Sequence, residues 1–250
     1  MTKNRYCFTI EYNGTAFDAG WQRQDDKHSS VQGTLEVAAK ALTGVPVLFY
    51  CAGRTDKDVH ALGQIAHADF NKPYSLKMLH DGLNFYLKKD KCRILSVKPV
   101  NDDFHARFSA KRKTYIYRIN HNRTQSVFEL DRSWWISINT ELDLSKMEKE
   151  SQELLGNHDF SSFRDSSCQA NSPIRTLEAV TFEKMDDVIQ FTFVSRSFLH
   201  KQIRIMVGTL VDLARGRFNS IKSILDAKNR AAAGQTAPGH GLYLKSIEYF

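Results

Sequence analysis

The residues best placed to do chemistry are in Cys51-Ala-Gly-Arg-Thr-Asp-Lys-Asp-Val-His-Ala61. A carboxylate, Asp56, stands in a short polar turn directly after an apolar run, Val47-Leu-Phe-Tyr-Cys51. Gly53 lets the backbone turn there. Arg54 adds a planar cationic fork just before the carboxylate. A strand that ends in such a turn can present a nucleophile on a rigid element. The same residue types also make an ordinary solvated turn. Alone, the stretch leaves both readings open.

Two further segments carry suitable groups. Phe104-His-Ala-Arg-Phe-Ser-Ala110 runs into Lys111-Arg-Lys113 and then Tyr115-Ile-Tyr117. Basic residues interleaved with aromatics suit phosphates and stacked bases together, although an aromatic core strand with a solvated basic start has the same pattern. His158-Asp-Phe-Ser-Ser-Phe-Arg164 reads as a polar loop that either carries Arg164 to a groove or simply caps a helix. Thr236-Ala-Pro-Gly-His-Gly-Leu-Tyr243 is a turn-rich entry to a last strand and can line a pocket.

Other chemistries find no support. The nine histidines are scattered, and His60 and His67 share no metal-ligand spacing with a third residue. Nucleophile-elbow, P-loop and dinucleotide fingerprints do not occur. The four cysteines lie far apart, so reduced thiols in a cytoplasmic protein are expected, with Cys51 buried and inert. The start of the chain shows no secretory signal, and no window is apolar enough to span a bilayer. The 42% hydrophobic and 25% charged composition is that of an ordinary globular protein. A formal net charge of +7 favours a polyanionic partner.

The elements that must position these groups follow from periodicity. Tyr6, Phe8, Ile10 and Tyr12 alternate as in a half-buried strand, with a turn at Asn13-Gly14. Val31, Leu35, Ala38 and Leu42 fall at helical spacing, and Gly44 and Pro46 end that helix. Residues 47–52 read as a strand, as do 64–70 and 93–100, with a helix marked by Leu76, Leu79, Leu83 and Leu87. The order is β-α-β-β-α-β, the ferredoxin-like arrangement that RNA-recognition modules also use.

In the second half, residues 114–120 read as a strand. Leu144, Met147, Ser151 and Leu154 predict a helix closed by Gly156. Residues 175–184 and 188–196 predict a hairpin. Leu199, Ile203, Met206, Leu210 and Leu213 predict a helix with a one-sided apolar stripe. Lys201, Gln202 and Arg204 lie off that stripe, where Arg204 reads first as a surface residue. Ser220 caps a further helix to about Arg230, and 242–249 is a last strand. The expected fold is α/β: two ferredoxin-like lobes, 1–108 with the Asp56 turn and 109–250. They share a mixed, largely antiparallel sheet, with helices on one face and a central cleft.

Taken in order, these segments resemble the tRNA pseudouridine synthase A (TruA) family over nearly the whole chain. The resemblance is carried by Ile10-Glu-Tyr-Asn-Gly-Thr15, Gly20-Trp-Gln-Arg-Gln24, Val31-Gln32, Leu35-Glu36, Gly53-Arg-Thr-Asp56, Val59-His-Ala61 and Leu83-Asn84. It continues through Phe104–Ala110, Tyr115, His158–Arg164, Phe198-Leu-His200, Arg204, Val207-Gly208, Thr236-Ala-Pro238 and His240-Gly-Leu-Tyr-Leu244.

The resemblance implies a cofactor-free isomerase. It would convert uridine to pseudouridine in the anticodon stem-loop of tRNA, at positions 38, 39 and 40. It also implies a homodimer, beside the cytoplasmic location and the absence of a metal already expected from the cysteines and histidines. Asp56 matches the catalytic aspartate, Tyr115 the tyrosine that packs on the target base and assists proton removal, and Arg204 the arginine paired with the aspartate. Arg54 would guard the place left by the flipped base. Arg107, Lys111, Arg112, Lys113 and Arg164 are the expected RNA contacts.

Two departures from the family pattern stand out. The family commonly reads Gly-Arg-Thr-Asp-Ala-Gly-Val-His-Ala; here Lys57 and Asp58 replace Ala and Gly. If that Gly serves a positive φ, Asp is among the better substitutes. A second carboxylate beside Asp56 repels it unless Lys57 or Arg204 compensates. The alternative is therefore a tRNA-binding, chaperone-like paralogue with catalysis weakened by Asp58. The Thr15–Ala19 spacer is also one residue longer than usual.

Overall fold

The computed structural model describes residues 4–23 and 28–249. Gln24, the last residue of one motif quoted above, lies outside the described residues. The chain has a mixed α/β fold and divides into two compact units, Met1–Lys111 with Tyr243–Phe250, and Arg112–Leu242. The expected division at 108/109 put the last strand in the second lobe, whereas Tyr243–Phe250 groups with the first unit.

In the first unit the elements are β1 (Asn4–Tyr12), α1 (Val31–Thr43), β2 (Tyr50–Cys51), β3 (His60–Phe70), α2 (Leu76–Tyr86) and β4 (Cys92–Pro99). The sheet runs β4-β1-β3-β2, antiparallel throughout. That is the split order of a ferredoxin-like unit. The last strand, β10 (Leu242–Glu248), adds in parallel at the start of β3, with Tyr243 opposite His60.

Local signals account for the helices. Ser30 caps α1 by accepting from Gly33 N, and Gly44 closes it at φ 79°. Ser75 caps α2 in the same way. Asn84 exchanges two hydrogen bonds with the backbone of Ile94, at 2.8 and 2.9 Å, and so ties α2 to β4. Alternation along β1 sends Tyr6, Phe8, Ile10 and Tyr12 into the core, where Phe8 meets Phe49 and Phe70. The other face is covered too. Cys7, Ala52, Ile65 and Ala106 form a second cluster beneath Phe104 and Tyr249. Tyr249 Oη donates to Ala106 O at 2.8 Å, which pins the Phe104–Ala110 segment over the sheet.

The strand expected over 47–52 shrinks to Tyr50–Cys51. Val47 and Phe49 are buried, while Leu48 and Tyr50 between and after them are exposed. However, the Phe49 N–H turns to the buried Glu36 carboxylate at 3.4 Å rather than to a neighbouring strand. Conversely, β3 starts four residues earlier than expected, and nearly every residue on it is buried, so it lacks one-sided alternation.

The second unit contains β5 (Arg112–Asn122), β6 (Trp134–Ser137), α3 (Leu144–Ser151), β7 (Gly156–Asp159), β8 (Ile174–Met185), β9 (Val188–Ser195), α4 (Gln202–Ala214) and α5 (Ile221–Ala227). Strands β5, β9, β8 and β7 lie side by side, all antiparallel. The sequence β5-α3-β8-β9-α4 thus repeats the arrangement that β1, β2 and β3 make in the first unit. Asp186-Asp187 forms the expected two-residue hairpin turn, with Asp186 at φ 49°.

Four expectations change here. Strand β6, parallel to β5, is too short for its period to show. The 158–164 stretch is not a polar loop: it forms the end of β7 and a 3-10 turn, with Phe160 and Phe163 fully buried. Helix α4 is buried almost all round, and Gln202 is inside it, accepting the Leu199 N–H at 2.8 Å. Helix α5 stops at Ala227, where Lys228 turns left-handed.

One buried group gives a pH prediction. His67 accepts from Ala106 N at 3.2 Å, stacks on Tyr50 at 5.2 Å and meets His105 edge-on. Desolvation, then His105 and Arg5, push its pKa down to about 4, with Asp69 and a bond to the Tyr50 backbone opposing. The native imidazole is therefore neutral, while the unfolded chain takes up the proton below a pH of about 6.5. Its contribution to stability is present above about 6.5 and is lost as pH falls toward about 4. Denaturant midpoints between about pH 7 and 4 should fall less steeply in His67→Gln than in wild type. Parallel curves would remove His67 as the cause.

Candidate active site

The Asp56 turn is defined by its backbone. Val59 N–H donates to Asp56 O at 3.2 Å, which closes a turn over Lys57 and Asp58. Asp58 has φ 68°, so the third position of the turn is left-handed, as in a type II turn. This is the place where the family pattern has Gly. Thr55 is buried and its Oγ1 lies 2.8 Å from Tyr12 Oη. The Gln64 amide donates to Gly53 O at 2.7 Å. Asp56 itself is half-buried, Arg54 and Lys57 are exposed.

Two glycines let other backbone lie directly on this turn. A Cβ on Gly20 would overlap the Thr55 carbonyl oxygen and sit 2.6 Å from the Asp56 carbonyl carbon. One on Gly14 would overlap the Val59 carbonyl and sit 2.8 Å from that of Asp58. The contacts are extended by hydrogen bonds. Trp21 N–H donates to Thr55 O at 3.1 Å, and Gly14 N–H to His60 Nδ1 at 3.2 Å. His60 stacks on Tyr243 at 4.5 Å. Gly20 and Trp21 also accept from Val31 and Gln32, so the start of α1 is docked to the same brace.

In the second unit, Tyr115 lies on β5, buried, with its ring edge-on to Phe198 at 5.3 Å. Arg204 is in the first turn of α4 and half-buried rather than a surface residue. Its Nε donates to Ala237 O at 2.8 Å, and Ala237 N–H returns a bond to Arg204 O at 3.0 Å. A Cβ on Gly208 would overlap Gln235 O, so the 235–238 segment lies flat on α4. Tyr117 Oη donates to Pro238 O at 2.8 Å. Burial holds that phenol well above its ordinary pKa, with Arg204 pulling the other way. The buried Asp212 carboxylate accepts from Gln235 N at 3.2 Å and Arg217 at 2.9 Å.

The remaining candidates separate by what they already hold. Arg107 is exposed beside the Phe108 ring, and Lys111 is exposed with its N–H bound to Glu248 O. Arg112 is paired with Glu178 at 2.7 Å, and Lys113 is half-buried on β5. Arg164 donates to the carbonyls of Cys168 and Ala170 at 2.8 and 2.7 Å, which organises a loop. Asp56, Arg54, Arg107 and Lys111 belong to the first unit; Tyr115, Arg204, Arg112, Lys113 and Arg164 belong to the second. Among the described residues no group of three or more His, Cys, Asp or Glu can hold a metal ion. Among them no helix is long and apolar enough to cross a membrane.

Residue types alone did not single out Gly14, Gly20, Tyr117 or Asp212 as supports. An aspartate inside an apolar helical run was the one available signal, for Asp212.

Residues 9–109 and 151–249 match the family model described as tRNA pseudouridine synthase. The chain is 45% identical to the tRNA pseudouridine synthase A of Maricaulis maris over 247 residues, 98% of each chain. It is 42% identical to that of Paramagnetospirillum magneticum, over 98% of this chain and 95% of the relative. For that of Wolbachia pipientis it is also 42%, over 98% and 100%.

The brace makes two measurable demands. Gly20→Ala forces backbone apart and should cost about 1–3 kcal/mol of stability in urea titration; a neutral Ala would show that the contact is not tight. Asp58→Gly should keep the turn and gain up to about 1 kcal/mol, whereas Asp58→Val should lose about 1–2 kcal/mol. Equal stability of the Val variant would show that the turn does not need a positive φ there.

Proposed function

The chain belongs to the tRNA pseudouridine synthase family, and from that premise we propose that it isomerises uridine to pseudouridine in the anticodon stem-loop of tRNA, at positions 38 to 40. The observation that carries this reading is the match to tRNA pseudouridine synthase A sequences over 98% of the chain. The braced turn supports it as well. A half-buried carboxylate is held on a turn whose left-handed position is occupied by Asp58, a residue able to adopt it.

In the proposed reaction the N1–C1′ bond of uridine breaks, the uracil turns in place, and a C5–C1′ bond forms; C5 loses its proton to a base and N1 takes one up from solvent. The bond broken and the bond formed join the same two fragments, so atoms and electrons balance without a redox partner. Asp56 acts as nucleophile at ribose C1′ or uracil C6, or assists formation of a glycal. Arg204 is the ion-pair partner of the Asp56 carboxylate in this reading. Tyr115 packs on the base and helps the late proton leave. Arg54 occupies the space of the flipped nucleotide, and Arg107, Lys111, Arg112, Lys113 and Arg164 contribute phosphate contacts. For Arg112 this means exchanging Glu178 for a phosphate. A homodimer acting in the cytoplasm, where tRNA is available, completes the proposal. The left-handed backbone at Asp58 suits an aspartate, which removes turn strain as a ground for the catalytically weakened paralogue and leaves the Asp58 charge beside Asp56 as its support.

The test is tritium release from tRNA transcripts labelled at uridine C5. Wild-type protein should release the label, and Asp56→Ala should reduce release by at least about a thousandfold, as loss of a nucleophile does. Binding of tRNA without release by wild type would favour the non-catalytic reading. Tyr115→Phe keeps the ring and loses the hydroxyl. It should lower kcat more than it raises KM, and unchanged kcat would remove the proton-transfer role.

A further inference from the structure

Between α2 and β4 runs Leu87-Lys-Lys-Asp-Lys91, in which Lys88, Lys89 and Lys91 are exposed. Just before it stand Phe85 and Tyr86, 60% and 44% exposed, with their rings edge to face at 5.3 Å. Lys88 Nζ lies over the Phe85 ring, 4.6 Å from its centroid. Adjacent exposed aromatic rings leave apolar surface in water. Beside ammonium groups they offer a base-stacking platform next to a phosphate-attracting field.

The loop is held in shape from within. The Arg93 guanidinium donates to the carbonyls of Leu87, Lys88, Asp90 and Cys92, at 2.6 to 3.0 Å. Leu87 is buried beneath it, and Asp90 N–H donates to Leu87 O at 2.9 Å. Arg93 is thus occupied with the backbone, while the three lysines face outward against the single carboxylate of Asp90.

Its position gives the loop a purpose. Asn13 N–H donates to Lys91 O at 2.9 Å, and Asn13 directly precedes the Gly14 that lies on the Asp56 turn. In the sheet Tyr12 pairs with Cys92 on one side and Ala61 on the other. The lysine loop and the Asp56 turn therefore sit at the same end of the first unit's sheet. The backbones of Cys92 and Ala61 are two strand spacings apart, about 10 Å.

We propose that Phe85–Lys91 is a further RNA-contact surface. Its lysines take the phosphate backbone of the tRNA whose target nucleotide is at Asp56, and the Phe85–Tyr86 pair packs on an unpaired base or ribose of that strand. This rests on the tRNA-modifying reading above. Charge and aromatic content together favour RNA over an acidic protein, since aromatic platforms flanked by lysine are suited to a polyanion with π-faces.

The experiment uses the full chain and a tRNA transcript. Phe85 is replaced by p-benzoylphenylalanine and irradiated with the RNA. In parallel, Lys88→Gln/Lys89→Gln/Lys91→Gln is assayed for tritium release across a salt series. The expected results are a protein–RNA adduct, a KM for tRNA raised about tenfold or more, and a salt slope shallower by about 2–3. A wild-type KM and salt slope in the triple variant, with an unchanged unfolding midpoint, overturn the proposal whether or not an adduct forms. If the wild type releases no label, the tRNA-modifying reading has failed. If the wild type turns over and the triple variant matches it, only the role of the loop has failed.

Discussion

Two places where backbone lies against backbone without an intervening side chain hold the first unit's candidate site. Gly20 sits on the Thr55–Asp56 peptide and Gly14 on the Asp58–Val59 peptide. Any Cβ at either position would occupy space already filled by carbonyl groups. The turn carrying Asp56 is therefore positioned by contacts to its main chain. A reaction that detaches a base and reattaches it by another atom requires such fixed geometry, because the gain comes from orientation of fragments already in hand.

Much of the first unit serves that contact. Strand β1 delivers Tyr12 to Thr55 and then Asn13-Gly14 to the turn. The Gly20-Trp21 backbone both accepts the first N–H groups of α1 and lies on the turn. Strand β3, buried on both faces, begins with His60, bound to Gly14 and stacked on Tyr243. The second unit uses the same device. Gly208 allows the 235–238 segment onto α4, and the Arg204–Ala237 exchange of hydrogen bonds locks it there. In both units a group proposed for catalysis rests on an element whose main chain is over-determined by its neighbours.

Legibility in the sequence followed the range of the interaction concerned. Ser30, Ser75 and Gly44 act within one turn of the helices they cap, and those helices fell where expected. The alternation of Tyr6, Phe8, Ile10 and Tyr12 reports the side of β1 that faces the main core and was readable, although Cys7 on the other side is buried as well. Strand β2 was overestimated because Glu36, on a helix, takes the Phe49 N–H. The 158–164 segment looked polar, yet Phe160 and Phe163 are core residues between short polar caps. Helix α4 looked amphipathic because Lys201, Gln202 and Arg204 fall off its apolar stripe, but Gln202 is buried with its Oε1 accepting the Leu199 N–H, and Thr209 and Asp212 are hydrogen-bonded inside the fold.

The order and spacing of motifs were enough by themselves to identify the family, the α/β class and Asp56 as the leading candidate, because those properties are written in residue types along the chain. Asp58 could be judged only conditionally, as a tolerable occupant if the position needed a positive φ. The tertiary structure supplied the φ of 68°. It also decided that Arg204 is half-buried and bonded to Ala237, that Arg164 and Arg93 serve backbone carbonyls, and that the lysine loop lies at the same sheet end as the Asp56 turn. Each of these depends on which distant segment packs against a residue, and chain order does not encode that proximity locally.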